Sequence, residues 1–300
     1  MLFKNLMMFR YSPNWEPDIA AMEEALAQGA FVPCGATQAQ SIGWVPPRGE
    51  ENGAFVEVIN GQWLLRLMIE DKPVPGGVIK RRLTEMCDKV EAETGRRPGK
   101  KYQADMKDEI MLDLLPMAFP RQKVVNVWLN PKNHWVMMDV TSPKQADVVI
   151  TALVKSLDGL AINELHTQTS PAVAMVDWLQ GNEPGGWTVD MDCELRSEGD
   201  TVKSVLRYSG MSLDTPEVRA HLEQGMQPTQ LAMTWGSRVS VVLTHELKLK
   251  KISFLDVVFE SNPNDSDDMF DADAAIATGE LLPLLESLMT ALGGEQQGVV

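Results

Sequence analysis

Cysteine is scarce in this 300-residue chain: Cys34, Cys87 and Cys193 stand at spacings of 53 and 106. An odd number at such distances excludes a disulfide framework and a zinc pattern, and fits a reducing cytoplasm. Each cysteine reads as a small buried hydrophobe. His134, His166, His221 and His245 include no pair at helical i, i+4 spacing, so no metal-binding helix is expected. The chain contains no GxxxxGK[ST] loop, no GxGxxG turn and no GxSxG elbow. Nucleotide-driven and hydrolytic chemistry therefore lack sequence support, and no cofactor or metal is implied. No apolar run approaches the ~18 residues of a membrane span. The opening MLFKNLMMFR has Lys4 and Asn5 inside its short apolar run and reads as a first strand, not a secretory signal. Positive charge is scarce as well, with 27 Lys and Arg against 42 Asp and Glu, a net charge of −15. Hydrophobic content of 44% is ordinary for a globular chain that can form one to three domains.

The few cations are not spread evenly. Twelve of the 27 lie between residues 72 and 123: Lys72, Lys80, Arg81, Arg82, Lys89, Arg96, Arg97, Lys100, Lys101, Lys107, Arg121 and Lys123. That stretch carries +4 on a chain whose remainder carries −19. A positive segment on an acidic body suits a protein that grips a polyanion with one part of itself, and local fields decide such docking. A solvated, mixed-charge helical arm has the same composition. Between residues 76 and 118 the one aromatic residue is Tyr102. Single-strand binders pair basic grooves with stacking aromatics, so this stretch favours sequence-independent contact with backbone phosphates, duplex as readily as single strand.

Patterning places the basic stretch on helices. Pro73-Val74-Pro75-Gly76-Gly77 reads as a linker, and Ile79, Leu83, Met86 and Val90 form one stripe of a helix over 78–94. A second helix is expected over 103–115, with Gly95-Arg96-Arg97-Pro98-Gly99-Lys100-Lys101 as the turn between them, giving a projecting helical hairpin with a basic tip. Elsewhere strands are expected over 2–10, 62–70, 123–129, 135–140, 186–195, 201–208, 229–243 and 247–259. Helices are expected over 17–28, from Ser142-Pro143 to 157, after Ser170-Pro171 and Thr215-Pro216, and over 272–292. Short hairpin connections with interspersed helices predict an α+β fold with antiparallel or mixed sheets and packed helices. Residues 1–75 with 119–169 form the expected central domain, 76–118 a helical tip and 170–300 a C-terminal base.

Two further segments invite function. Ile110, Met111, Leu112, Leu114 and Leu115 surround the end of the second helix, with Met117 and Phe119 beyond, so this end must be buried in its own domain or against another chain. Asp265, Asp267, Asp268, Asp271 and Asp273 could hold divalent metal for phosphodiester cleavage. They do not make an EF-hand, because Phe270 and Ile276 stand where glycine and glutamate belong. The simpler reading is a polar loop entering a helix N-terminus. No cation follows Lys251 while ten acids do, so the C-terminal region should face away from DNA or keep its path narrow.

The segments MLFKNLMMFR (1–10), AFVPCG (30–35), GWVPP (43–47), NGQ (60–62), VIK (78–80), KDE (107–109), LLPMAF (114–119), HLEQG (221–225), FDAD (270–273), TGEL (278–281) and ALGGE (291–295) occur in an order and spacing that resemble the recombination-associated RdgC family over most of the chain. The resemblance implies a non-enzymatic protein whose horseshoe subunits pair tip to tip and base to base into a ring-shaped homodimer. Duplex DNA would pass through the ring without sequence preference. Family members act in replication-linked recombination and restrain RecA by competing for DNA, which implies a cytoplasmic, nucleoid-associated protein with an indirect link to RecA. It also places Phe119, with Met111 and Leu115, near the contact between tips. The chain departs from the family over 201–213, where Ser209-Gly210-Met211 replaces a basic-polar patch; Lys203 and Arg207 remain candidates beside it. A metal-dependent nuclease and a scaffold gripping an acidic protein are the competing readings.

Overall fold

Leu6-Met7-Met8-Phe9 offers no polar side to water, and both faces of that strand are buried. A computed structural model describes residues 2–197, 204–261 and 269–296. In the first half these form β1 (Leu6–Tyr11), α1 (Ile19–Gln28), β2 (Gln40–Val45), β3 (Glu57–Ile59), β4 (Gln62–Asp71), α2 (Gly76–Thr94), α3 (Lys100–Leu114) and a 3-10 turn at Leu115–Met117. Then come β5 (Arg121–Asn130), β6 (Trp135–Met138), α4 (Pro143–Ser156), β7 (Ile162–Glu164), α5 (Pro171–Leu179), β8 (Trp187–Arg196) and β9 (Val205–Tyr208). The last elements are α6 (Pro216–Glu223), β10 (Gln227–Trp235), β11 (Val239–Thr244), β12 (Lys248–Phe254), α7 (Asp256–Ser261) and α8 (Met269–Ala291).

Among the described residues the strands join one sheet, ordered β2-β4-β5-β6-β1-β12-β11-β10-β8-β9, with β3 beside β4 and β7 beside β1. Every ladder is antiparallel; the single parallel contact is an isolated bridge from Ala30 to Trp44. The fold is thus α+β, and the sheet is antiparallel, not mixed. Leu6 and Met8 of β1 enter one apolar cluster, shared with α5, α6 and α8, while Met7, Phe9 and Tyr11 enter a second under α1 and α4. Side chains alternate across a strand, so a strand buried on both faces needs a continuous apolar run. Trp128 of β5 likewise joins the first cluster while Val127 and Leu129 join the second.

Four expectations change. The span 229–243 is two strands, because Gly236 and Ser237 (φ 58° and 54°) turn the chain as β10 passes into β11. Consecutive positive φ values match the right-handed twist of paired strands. The strand expected to reach 259 stops at Phe254, and Asp256–Ser261 is helical. By sequence Gly43-Trp44-Val45-Pro46-Pro47 reads as a turn, yet Gly43 lies inside β2, where a Cβ would come 2.4 Å from the Cα of Phe31, so only glycine fits. Cys87 and Cys193 are buried as expected, but Cys34 is only half-buried.

Candidate nucleic-acid interface

β4 and β5 are sheet neighbours, paired to the rung Asp71–Arg121, yet residues 72–120 intervene. The basic stretch is this excursion. At ~1.5 Å per residue the 19-residue α2 is about 28 Å long. It stops at Gly95 (φ 70°), whose N–H reaches the Glu91 carbonyl; this left-handed cap suits glycine. α3 then starts at Lys100. The pair packs chiefly on itself, around buried Ile79, Ile110 and Leu114 with Val78, Leu83, Met86 and Met111 against them.

Of the twelve candidate cations, Lys80, Arg81, Lys89, Arg96, Arg97, Lys100, Lys101, Lys107, Arg121 and Lys123 are exposed, while Lys72 and Arg82 are half-buried. Arg97 folds back on Asp88 (3.3 Å) and Glu91 (3.4 Å), and Arg81 approaches Glu85 at 3.9 Å. The Lys72 ammonium donates to the Gly35 carbonyl at 2.7 Å, which occupies it with its own loop. Among the described residues the other nine form no ion pair.

These cations do not share one face. Lys80, Arg81 and Arg82 are consecutive on α2 and so point about 100° apart. Arg82 and Lys89, seven residues apart, lie on the same side, as do Lys100 and Lys107 of α3. Arg121 and Lys123 share one face of β5, with Gln122 and Val124 on the other. Local charge is strongest at the turn. Lys100 and Lys101 occupy the first turn of α3, where the backbone dipole is itself positive, next to Arg96 and with no capping side chain. Such placement costs stability, about 0.3–1 kcal/mol per charge, and strengthens the positive field.

The apolar helix end divides. Ile110, Leu114 and Leu115 are buried within the chain and Met111 partly so. Leu115, expected at a subunit contact, is 3% exposed and offers nothing to a partner. Leu112, Met117 and Phe119 face out, Phe119 at 88% exposure. Met117 and Phe119 are themselves walls of an open recess of about 290 Å³, completed by Pro73, Val74, Pro75, Val78, Leu114, Ala118 and Arg121.

The other candidates are engaged elsewhere. Asp265, Asp267, Asp268 and Lys203 lie outside the described residues. Asp271 accepts from Arg48 at 2.6 Å, while Arg48 also meets Glu57 (2.9 Å) and stacks over Phe270, 5.2 Å from its centroid. That network ties the start of α8 to the β2–β3 connection. Among the described residues no three His, Cys, Asp or Glu side chains converge for a metal.

Arg207 is held with Arg196 on the buried Glu194, each at 2.8 Å, and Thr229 donates to the same carboxylate at 2.8 Å. Sequence reasoning missed this cluster, because its members come from three strands. Burial alone would raise the Glu194 carboxyl, but the bonds from Arg207, Thr229 and Arg196 outweigh it and hold it at about 2, against an ordinary 4.5. A depressed acid stabilises the fold fully above its unfolded value, and that stability is lost as pH falls through the folded one. Acid unfolding should therefore steepen from pH 4.5 towards pH 2, and Glu194→Gln should flatten it in a urea-melt series.

The structure thus defines an α+β protein in which eight exposed cations stand on one excursion from an acidic body, with Arg121 and Lys123 beside them at the start of β5. Residues 1–295 match the family model described as "Putative exonuclease, RdgC". Proteins named recombination-associated protein RdgC are 40% identical in Dechloromonas aromatica (98% of each chain), 41% in Herminiimonas arsenicoxydans (99% of each) and 39% in Bordetella pertussis (99% of this chain, 100% of that one). The class is therefore that of recombination-associated proteins. The chain belongs to the RdgC family.

Proposed function

We propose that this protein is a non-enzymatic, sequence-independent DNA-binding protein that closes around duplex DNA as a ring-shaped homodimer and restrains RecA-dependent recombination by occupying the DNA. The observation that carries the reading is the β4–β5 excursion, where eight exposed cations, with Arg121 and Lys123 beside them at the start of β5, interrupt a chain of net charge −15. Phosphate contact needs positive charge and reach but no base-reading geometry.

Pairing of subunits is supported by Phe119. An aromatic ring 88% exposed at the wall of a largely apolar recess is costly to leave in water, and a two-fold contact would lay it against the same surface of a second copy. In the proposed layout, residues 1–75 with 119–169 are the central region, 76–118 the tip and 170–300 the base, all around one sheet. Single strands bind through the same phosphates, RecA is met through shared DNA, and the protein works at the nucleoid. No helix of the described residues is long and apolar enough to cross a membrane.

The test of encirclement is topological. Complexes on closed circular DNA should survive a wash at 0.5–1 M salt, where phosphate contacts alone fail, and should be released once the circle is linearised. Equal release from both forms would overturn the ring. Incubation of plasmid with the protein and Mg²⁺ or Mn²⁺ should leave circles intact; nicking or degradation that Asp271→Asn abolishes would establish the nuclease instead.

A further inference from the structure

The helices of the excursion bury their apolar stripes chiefly on each other, so its two connections to the sheet, near residues 72–75 and 118–120, set its direction. Beside the apolar lining of Pro73, Val74 and Pro75, polar bonds hold those connections. Glu70, one residue before the last rung of β4, is 3% exposed. One carboxylate oxygen accepts the Cys34 N–H at 2.7 Å, and the other accepts Gln122 Nε2 of β5 at 2.7 Å. The Lys72 N–H donates to the Ala39 carbonyl at 2.8 Å and its Nζ to the Gly35 carbonyl at 2.7 Å. Gln40 Nε2 donates to Asp71 Oδ1 at 2.7 Å. Residues 34–40 are thereby stitched across the strand ends from which the excursion departs. An ionised carboxylate has acceptors only, and Glu70 meets donors on both oxygens. The Gln122 bond, with that from Cys34, holds its carboxyl below the usual range, so it stays charged.

We propose that Glu70 is the positioning residue of the DNA interface: it fixes the angle at which the cationic excursion leaves the sheet, and so which cations reach a duplex. The consequence for DNA rests on the function proposed above; the clamp itself does not. Removing the carboxylate takes the shared acceptor from the exposed Gln122 amide and from the N–H of half-buried Cys34, so the strand end and residue 34 lose the link that joins them. The buried core of the excursion does not join the core under the sheet, so the lining at residues 73–75 is what backs up the clamp.

The test is a distance distribution from spin labels at Glu93→Cys on α2 and Lys144→Cys on α4, in full-length protein carrying Cys34→Ser; Cys87 and Cys193 are buried and stay unlabelled. The parent should give one narrow distribution, and Glu70→Ala should at least double its width. The exchange Glu70→Gln with Gln122→Glu, which swaps donor and acceptor, should restore it. DNA affinity at 0.1 M salt should fall about tenfold in Glu70→Ala, roughly one phosphate contact, and recover in the exchange. An unchanged distribution in Glu70→Ala overturns the proposal. Should that variant not fold, Lys72→Met, which deletes only the bond to Gly35, decides: a broadened distribution supports the clamp and an unchanged one overturns it. A parent that binds no DNA would sink the proposed function while leaving the distance test intact.

Discussion

Replacing Arg96, Lys100 and Lys101 together by glutamine is expected to weaken DNA binding by about two to three orders of magnitude at 0.1 M salt, and nearly equally on unrelated sequences. Each phosphate contact releases about 0.9 counterion, worth close to tenfold at that salt, and three contacts multiply. None of the three cations forms an ion pair with a described residue, so their charge is available to a ligand, whereas Arg97 is already spent on Asp88 and Glu91. The fold should move the opposite way. Lys100 and Lys101 oppose the helix dipole in the first turn of α3, so their neutralisation should leave the melting temperature unchanged or raise it by about 1–3 °C. Binding and stability shifting in opposite directions separates a charge kept for function from one kept for folding. Fluorescence anisotropy on two unrelated duplexes, with a calorimetric melt, reads both. Loss confined to one duplex would mean base recognition, and a melt lowered by several degrees would mean a structural role.

Phe119→Asp is expected to convert the proposed dimer to monomers at micromolar concentration while changing the subunit's melting by little. The side chain is 88% exposed, so the single subunit gains almost nothing from it, while an interface built on it would have to bury a charge. Leu115→Ala should do the reverse. That residue is 3% exposed, and emptying its site should cost about 2–5 kcal/mol in each subunit. Sedimentation velocity with urea melts distinguishes the two. A dimer that survives Phe119→Asp would assign the pairing to another surface.

Local patterning carried much of this fold. The Ile79, Leu83, Met86, Val90 stripe predicts α2, which the structure extends only from 78 back to Gly76. Ser142, Ser170 and Thr215, each followed by proline, mark helix starts that the structure places at Pro143, Pro171 and Pro216. Legibility fails where a neighbour distant in sequence decides. β2 was hidden because Gly43 looks like a turn, and its reason is the passage of Phe31 against the strand. The break of 229–243 at Gly236-Ser237 was hidden because apolar residues continue on both sides of it.

The site was legible as charge but not as geometry. Composition shows that cations gather between 72 and 123. It cannot show that Lys72 is turned onto Gly35, that Arg97 is neutralised, or that three consecutive cations of α2 point apart. The apolar helix end posed a choice between burial and contact, and the structure divides the residues between both outcomes: Leu115 inward, Phe119 outward. Glu70 gave no sequence signal because Cys34 and Gln122 lie 36 and 52 residues from it, and Glu194 gave none because its burial and its bond from Thr229, 35 residues on, are set by strand pairing.

The most direct test is the salt dependence of duplex binding. If the excursion holds 6–10 phosphates, a plot of log K against log salt should be linear with a slope of about −5 to −9, and the Arg96, Lys100, Lys101 variant should be shallower by about 3. A parent slope near zero, or the same slope in parent and variant, would contradict the assignment of DNA to these cations.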